Sequence, residues 1–211
     1  RDRYKEQNSA MRKAKKIIKD FNGDTHKTVL FLSYKAENWN TMDNIYKKYC
    51  QEMDIKVIVQ CVPYYYKNID GTFEKYIDGG MYPEYVTITP IEDYNYVNEN
   101  PDVIVFQYPY DNYNSAGTTD PVFYSYNLAS HTQKLIYIPY FRTDEIDEND
   151  MRAYTNMDAY VTMPGVVYAD KVIVQSEEIR KLYIEKLTDF FGEESEDEWE
   201  DKIEAEDIGG I

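Results

Sequence analysis

The sequence predicts an α/β protein with a Rossmann-like, doubly wound, mostly parallel sheet of about six strands. Three observations predict this fold. Short apolar runs recur along the chain, and amphipathic segments with helical spacing lie between them. The runs are apolar at successive positions, which is typical of strands that helices cover on both faces. The length of 211 residues suits one such domain.

The apolar runs place the strands. They are predicted at residues 28–34, 55–62, 85–89, 103–108, 134–140 and 171–175. Between residues 67 and 82, the pairs Asp70-Gly71 and Gly79-Gly80 predict a loop or a hairpin instead.

Capping residues place the first two helices. Asn38 or Asn40 is expected to cap the first helix, because both precede a stretch with helical apolar spacing. The apolar face of that helix is predicted to comprise Trp39, Met42, Ile45, Tyr46, Tyr49 and Met53. Thr119 or Asp120 is expected to cap the second helix, with Pro121 at its first position, where proline is favoured.

Two further helical segments are predicted in the C-terminal half of the chain. A broken helical stretch is predicted over residues 150–169. Ser176 is expected to cap a further helix, since Glu177 and Glu178 follow it and suit the positive end of a helix dipole.

We divide the chain into three segments. Residues 1–24 form an N-terminal helix or linker, residues 25–192 the Rossmann-like domain, and residues 193–211 an acidic tail that begins an inter-domain connection. The N-terminal helix is interpreted as packed or linking, with a coiled-coil end and a membrane-surface helix as alternatives. The tail stretch EESEDEWEDKIEAED is expected to be a solvated acidic helix or disordered, without a site.

Charge and cysteine content exclude several classes of function. The net charge is −16, which disfavours binding to nucleic acids and anionic lipid. The two cysteines, Cys50 and Cys61, lack a metal-binding or redox spacing and indicate packed thiols in a cytosolic protein. No apolar run approaches the roughly 20 residues that span a bilayer.

Common catalytic and cofactor motifs are missing from the sequence. It contains no GxGxxG, no GxxxxGK[ST] and no GxSxG. The two histidines, His26 and His131, lie away from the predicted strand exits and are interpreted as surface or capping residues. We therefore predict neither a cofactor nor a metal site.

Three predicted strands end in the same way. Their exits read Val62-Pro63-Tyr64, Tyr108-Pro109-Tyr110 and Ile138-Pro139-Tyr140. Proline ends strand pairing, and the exits of parallel strands share the carboxyl edge, where open α/β folds bind ligands. The chain also holds 23 tyrosines, whose flat faces and polar tips suit sugars and polyols. The alternative is that the motif only stops strands and that the tyrosines cap the core.

The candidate site gathers these residues and their neighbours. Asp111 is the candidate catalytic base. The candidate substrate-binding residues are Gln107, Tyr110, Asn112, Asn114, Tyr64, Tyr65 and Tyr140.

Five segments together resemble a known family. They read VLFLSYKAENWNTMDNIY, VPYYYKNIDGTFEKY, NPDVIVFQYPYDNYN, LIYIPYF and PGVVYADKVIVQSEEIRKLYI. Across residues 27–191 the chain resembles the CDP-glycerol glycerophosphotransferase-like family of Firmicutes, the teichoic-acid type. The ADKVIVQSE block is also similar to the segment that closes the N-terminal domain of GT-B glycosyltransferases.

The resemblance implies the acceptor-side half of a GT-B-like transferase that acts on a cell-wall polymer or glycan. The resemblance implies that the CDP-linked nucleotide donor is held by a C-terminal domain beyond Ile211. This chain by itself is therefore expected to be inactive. The family implies histidine at position 107, whereas Gln107 cannot act as a base. A cytoplasmic location, at most peripheral at the inner face of the membrane, is also implied. The alternatives are a non-catalytic glycan- or polyol-binding domain and a protein-interaction domain.

Overall fold

The computed structural model describes residues 2–21, 27–78, 80–144, 146 and 150–209. His26, Gly79 and the ends of the predicted N-terminal and tail segments lie outside the described residues. The strands are β1 (Lys27–Ser33), β2 (Ile55–Cys61), β3 (Tyr64–Lys67), β4 (Phe73–Tyr76), β5 (Val103–Phe106), β6 (Gly117–Thr119), β7 (Lys134–Tyr137), β8 (Lys171–Val174) and β9 (Ile203–Ala205). The helices are α1 (Asp2–Phe21), α2 (Asn40–Gln51), α3 (Tyr96–Glu99), α4 (Ser125–Ser130), α5 (Met151–Asn156), α6 (Asp158–Val161), α7 (Pro164–Tyr168), α8 (Glu177–Phe191) and α9 (Glu196–Lys202).

Six strands form one sheet in the order β2-β1-β5-β7-β8-β9, and all neighbouring pairs are parallel. This sheet, flanked by helices, confirms the predicted fold class. The chain passes from β1 outward to β2 and then returns to place β5 on the other side of β1. The strand order therefore reverses between β1 and β5. In open α/β sheets, ligands bind outside the carboxyl ends of the strands at such a reversal.

The sheet has a packed core on each face. Along β1, Leu30 and Leu32 belong to one core, whereas Val29 and Phe31 belong to the other. Successive residues of a strand point to opposite faces, so a strand covered on both sides needs apolar residues at every position. That requirement explains the uninterrupted apolar runs in the sequence.

The predicted helix caps are confirmed in part. Ser176 Oγ accepts a hydrogen bond from the Ile179 amide at the start of α8. Asp120 accepts one from the Val122 amide, with Pro121 first in a 3-10 turn that precedes α4. Residues 150–169 form the predicted broken stretch, as α5, α6 and α7.

The helix predicted after the first strand is α2, and both of its ends differ from the prediction. α2 begins at Asn40 without a side-chain cap, so the caps predicted at Asn38 and Asn40 are wrong. A 3-10 turn at Ala36–Asn38 leads directly into the helix instead. Met53, assigned to the apolar face, lies beyond the end of α2 and is 89% exposed.

The strand predicted over residues 85–89 is wrong. The segment makes one isolated parallel bridge, between Val59 and Ile88, beside the edge strand β2. Pro83 and Pro90 flank the segment, and proline cannot donate to a strand ladder. The segment therefore follows β2 without joining the sheet.

The sixth strand is instead β9, which lies in the acidic tail. β9 pairs in parallel with β8. Trp199 of α9 is fully buried and donates from Nε1 to Ser195 Oγ at 2.9 Å, and Ile203 is fully buried as well. The expectation of a solvated or disordered tail is therefore wrong for the described part of residues 193–211, because its few apolar residues anchor it to the core.

The predicted excursion after β2 is a hairpin, β3 and β4. Gly71 in its turn has a φ of 82°, a backbone conformation that favours glycine, and Asp70 accepts a hydrogen bond from the Thr72 amide. The hairpin starts at Tyr64, earlier than predicted. With β6 it forms a second, antiparallel sheet in the order β4-β3-β6, which follows directly on the carboxyl end of β2.

Helix α1 is attached to the domain through its basic side chains. The Arg12 guanidinium donates to the Ala129 carbonyl at 2.9 Å and to Asp170 Oδ1 at 2.8 Å. Lys15 Nζ donates to the Ser130 carbonyl at 3.0 Å. These contacts place two cations at the carboxyl end of α4, where the helix dipole favours them. Among the described side chains of α1, Met11, Ile17 and Ile18 are large, apolar and exposed.

We predict that Trp199→Ala destabilises the whole domain. A fully buried indole leaves a large cavity, so we expect the free energy of unfolding to fall by about 3–5 kcal/mol in urea denaturation. Phe190→Ala in α8 is the matched control, because Phe190 is 64% exposed, and it should change the free energy by less than about 1 kcal/mol. Equal, small effects of both variants would mean that the tail does not belong to the cooperative core.

Candidate functional site

The three strand–proline–tyrosine exits lie at one edge of the sheet. Pro63, Pro109 and Pro139 follow the carboxyl ends of β2, β5 and β7, which belong to the same all-parallel sheet. The exits of β5 and β7 are adjacent, but β1 separates the exit of β2 from them. Side-chain contact between the β2 exit and the other two exits therefore depends on the residue that follows β1.

That residue is Tyr34, and its ring lies at the centre of the edge. Its centroid is 5.0 Å from those of Tyr64 and Tyr108 and 5.1 Å from that of Tyr140. One ring thus contacts the tyrosines of all three exits. Sequence reasoning missed Tyr34 as a site residue, since no proline follows it and it reads as the end of a strand.

More tyrosines extend this group in two directions. Tyr110 packs against Tyr108 with centroids 5.2 Å apart, and its hydroxyl lies 3.4 Å from that of Tyr140. On the hairpin, Tyr66 and Tyr76 contact Tyr64, with centroid distances of 5.4 and 5.3 Å. We call the following residues the tyrosine cluster: Tyr34, Tyr64, Tyr66, Tyr76, Tyr108, Tyr110 and Tyr140.

The members of the tyrosine cluster differ in their exposure to solvent. Tyr64 and Tyr108 are buried. Tyr34, Tyr110 and Tyr140 are half-buried, and Tyr66 and Tyr76 are the outermost members, with exposed fractions of 40% and 47%. The inner rings therefore fix the position of the outer ones, which a ligand can reach.

Burial raises the pKa of four hydroxyls of the tyrosine cluster. Removal from water raises the pKa of Tyr34, Tyr64, Tyr108 and Tyr110 well above the ordinary value of 10.0, and neighbouring tyrosines add to the effect. At neutral pH these groups serve as hydrogen-bond donors and acceptors, and not as bases. Lys35 adds one cation, with Nζ 5.3 Å from the centroids of Tyr34 and Tyr64.

Gln107 lies between β1 and β5, where the strand order reverses, and is fully buried. Its Oε1 accepts from the Tyr34 amide at 3.0 Å. Its Nε2 donates to the Asn38 carbonyl and to Thr41 Oγ1, both at 2.9 Å. The amide therefore ties β5 to the loop after β1, at the reversal of strand order where such folds commonly hold ligands. Where the resemblance implies histidine, this chain has a structural amide.

Asp111 is buried and caps helix α4. Its Oδ1 accepts from the Ser125 amide at 2.8 Å, and its Oδ2 accepts from Ser125 Oγ at 2.9 Å. Burial raises the pKa of this carboxyl to about 6, and the two hydrogen bonds from Ser125 partly oppose the shift. Asp111 also has a φ of 50°, in the left-handed region. As placed, the proposed base faces a helix end instead of an open cleft.

The asparagines and Tyr65 lie on the outer side of this turn. Lys67 Nζ donates to the carbonyls of Asn112 and Asn114, at 2.9 and 2.6 Å, and so ties the loop to β3. Asn114 Oδ1 accepts from the Ala116 amide. Tyr65 is half-buried and alternates with Tyr64 along β3, so it points away from the tyrosine cluster.

The remaining candidates do not form a second centre. Cys61 is buried, which raises the pKa of its thiol, and Cys50 is exposed. The imidazole Nδ1 of His131 lies 2.9 Å from the Asn127 carbonyl within its own helix end. Within the described ranges, no three histidine, cysteine or carboxylate side chains are grouped so as to hold a metal ion.

Comparisons of the chain with protein-family models, with curated proteins and with solved structures found no match. Among the described residues, no helix has the length and apolar character needed to cross a membrane.

We predict that Asp111→Ala lowers the free energy of unfolding by about 1–3 kcal/mol at pH 7, because the buried Ser125 amide loses its acceptor. Asp111→Asn is the matched control. Its amide can still accept from the Ser125 backbone and donate to Ser125 Oγ, and asparagine tolerates a positive φ. It should cost less than the alanine variant in urea denaturation. An alanine variant of wild-type stability would show that Asp111 is not a structural cap.

The contribution of Asp111 to stability should depend on pH. The pKa of Asp111 is about 6 in the folded state and 3.8 ordinarily, so between these values the folded protein binds more protons than the unfolded chain. Its contribution to stability is therefore largest below about pH 4 and is lost as the pH rises through 6. Relative to Asp111→Asn, the wild type should lose on the order of 2–3 kcal/mol between about pH 4 and 7. A difference that does not change with pH would contradict the raised pKa.

Proposed function

We propose that this domain binds the acceptor of a glycerophosphotransferase or glycosyltransferase at its tyrosine cluster. The acceptor is a glycan or polyol phosphate of the cell-wall type, and the CDP-linked donor is held by another domain. The observation that carries the proposal is the gathering of neutral tyrosine rings around Tyr34 at the carboxyl edge of a parallel sheet. The family resemblance of residues 27–191 supports the choice of reaction.

The chemistry of the cluster suits a hydroxylated ligand. Tyrosine offers a flat apolar face for the C–H groups of a sugar or polyol and a hydroxyl for its oxygens. The outer rings, Tyr66 and Tyr76, lie 5.9 Å apart in an edge-to-face arrangement and are held in place by Tyr64. Because the rings are already packed against each other, ligand binding orders few additional side chains.

The position of the polar residues favours recognition over chemistry. Gln107 uses its amide to hold the loop after β1, and Asp111 uses both carboxylate oxygens to cap α4. Neither side chain is free to move a proton between reactants in this conformation. The same observation favours the second candidate function, a glycan- or polyol-binding domain without catalysis.

The test is a titration of the purified protein, by calorimetry, with a poly(glycerol phosphate) oligomer, CDP-glycerol and CMP. We expect the oligomer to bind and the two nucleotides not to bind. Tyr140→Ala should weaken oligomer binding about 3- to 10-fold, the value of one aromatic contact, and Tyr140→Phe should retain most of it.

Phe190→Ala is the control for a general loss of an aromatic side chain. Helix α8 starts at the carboxyl edge of the sheet and is about 22 Å long. Phe190 lies at the other end of this helix, away from the tyrosine cluster. This variant should bind as the wild type does. Failure of the wild type to bind the oligomer would refute the acceptor assignment, and binding of CMP alone would assign the domain to the donor side.

A further inference from the structure

Helix α1 has one face that contacts the domain and an opposite face that is exposed. Among its described side chains, only Arg12 and Lys15 are half-buried, and both donate hydrogen bonds to the end of α4. An α-helix has about 3.6 residues per turn, which places a second set of side chains on the opposite side. We call this set the α1 outer face; it consists of Ala10, Lys13, Ala14 and Ile17, all of which are exposed. The outer face therefore points away from its own domain.

The apolar residues of the outer face favour contact with another protein surface. Ile17 is 68% exposed, and Ile18, at the margin of the face, is 61% exposed. Ala10 and Ala14 are small, so a second backbone can approach the helix closely there. Exposed apolar side chains that are grouped in this way mark interaction sites.

The charge of α1 determines which kind of surface it can contact. Residues 1–20 hold eight Lys and Arg but three Asp and Glu. Lys13 and Lys16 are exposed, and neither is ion-paired with another described residue. A second α1 helix would repel these charges. The complementary surface is therefore acidic.

This chain carries such a surface between α8 and α9. A groove of about 390 Å³ lies there. Four exposed carboxylates line it, Glu185 and Asp189 on α8 and Glu196 and Glu200 on α9. Ile184 is buried and adds an apolar part to the lining. Within the described part of the chain, none of the four carboxylates is ion-paired, so their charge is available to a partner.

The two cations of the groove do not offset this charge. Arg180 and Lys181 lie towards the start of α8. The Arg180 guanidinium donates to the Ile203 carbonyl at 2.7 Å and to the Glu200 carbonyl at 2.9 Å, so it serves the backbone that follows α8. Residues 185–211 hold twelve Asp and Glu against two Lys. The α8–α9 surface is thus the acidic counterpart of α1.

We propose that α1 of one copy of this chain docks in the α8–α9 groove of a second copy. Ile17 of one copy then packs against Ile184 of the other, while Lys13 and Lys16 pair with the carboxylates of the groove. α8 is about 22 Å long, which exceeds the roughly two helical turns that carry the outer face. Because the outer face points away from its own domain, the contact forms between molecules. This inference is independent of the proposed function.

The experiment is sedimentation velocity on the wild type and two charge-reversed variants. The first variant carries Lys13→Glu and Lys16→Glu, and the second carries Asp189→Lys and Glu200→Lys. At about 0.1 M salt, charges more than about 10 Å apart are screened, which limits the general repulsion between two acidic chains. We expect the wild type to self-associate under these conditions and to dissociate as the salt concentration rises. Each variant alone should associate at least about 10-fold more weakly.

Both variants are chosen so that the fold is kept. Asp189 and Glu200 lie in the last turns of α8 and α9, where a lysine suits the helix dipole. Asp189 accepts from the Tyr154 hydroxyl at 3.3 Å, and this hydroxyl keeps its closer acceptor, Glu185, at 2.8 Å. The α1 variant leaves the two side chains that attach the helix to α4 unchanged. Thermal unfolding followed by circular dichroism should give the wild-type midpoint for both.

An equimolar mixture of the two variants should restore association, because every α1 then meets a groove of opposite charge. The matched control carries Lys27→Glu and Lys56→Glu. These exposed lysines of β1 and β2 give the same change in net charge as the α1 variant, away from both surfaces, so the control should associate as the wild type does.

Three results would overturn the proposal. One is a wild type that stays monomeric, and another is a mixture that does not regain association. The third is association of both variants with wild-type affinity, which would place the contact elsewhere on the protein. A monomeric wild type that co-sediments with phosphatidylglycerol vesicles would assign α1 to a lipid surface instead.

Discussion

The candidate site depends on one buried amide, that of Gln107. Its side chain joins the end of β5 to the loop after β1 through the Tyr34 amide, the Asn38 carbonyl and Thr41. Loops are the most variable parts of an α/β fold, yet this one must hold Tyr34 between three other rings. The amide of Gln107 accepts a hydrogen bond and donates two, whereas a neutral imidazole has a single donor and an ionised carboxylate has none.

Most of the sheet could be predicted from the sequence, because burial on both faces imposes a pattern that is easily recognised. β1, β2, β5, β7 and β8 each contain a run of at least three apolar residues. The sixth strand could not be predicted in this way. The run at 85–89 alternates apolar residues with threonine but lies between prolines, whereas β9 lies in an acidic stretch and is anchored through Trp199 and Ile203. The average composition of residues 193–211 is acidic and does not reveal that Trp199 and Ile203 are buried in the core.

The candidate site was predictable only as a location. The repeated proline marks the strand exits, and the parallel sheet brings them to one edge. The orientation of each side chain depends on local geometry that the sequence does not reveal. Asp111 illustrates this, since its left-handed backbone turns the carboxylate towards the start of α4. Tyr34, the residue that links the exits, carries no sequence mark because its importance arises from the strand order.

The electrostatics of the edge follow from the same burial. The chain has a net charge of −16, but the tyrosine cluster consists of neutral groups, and burial raises the pKa of a nearby carboxyl, Asp111. Lys35 and Lys67 lie beside the cluster, and both are held close to the protein, by Glu37 at 3.6 Å and by loop carbonyls. The recognition that we propose at this edge therefore relies on shape and on hydroxyl hydrogen bonds, which salt screens weakly. Because the protein is acidic, it repels the phosphates of such a polymer. In the proposed complex the protein therefore contacts the neutral polyol or sugar units, and the phosphates stay in water.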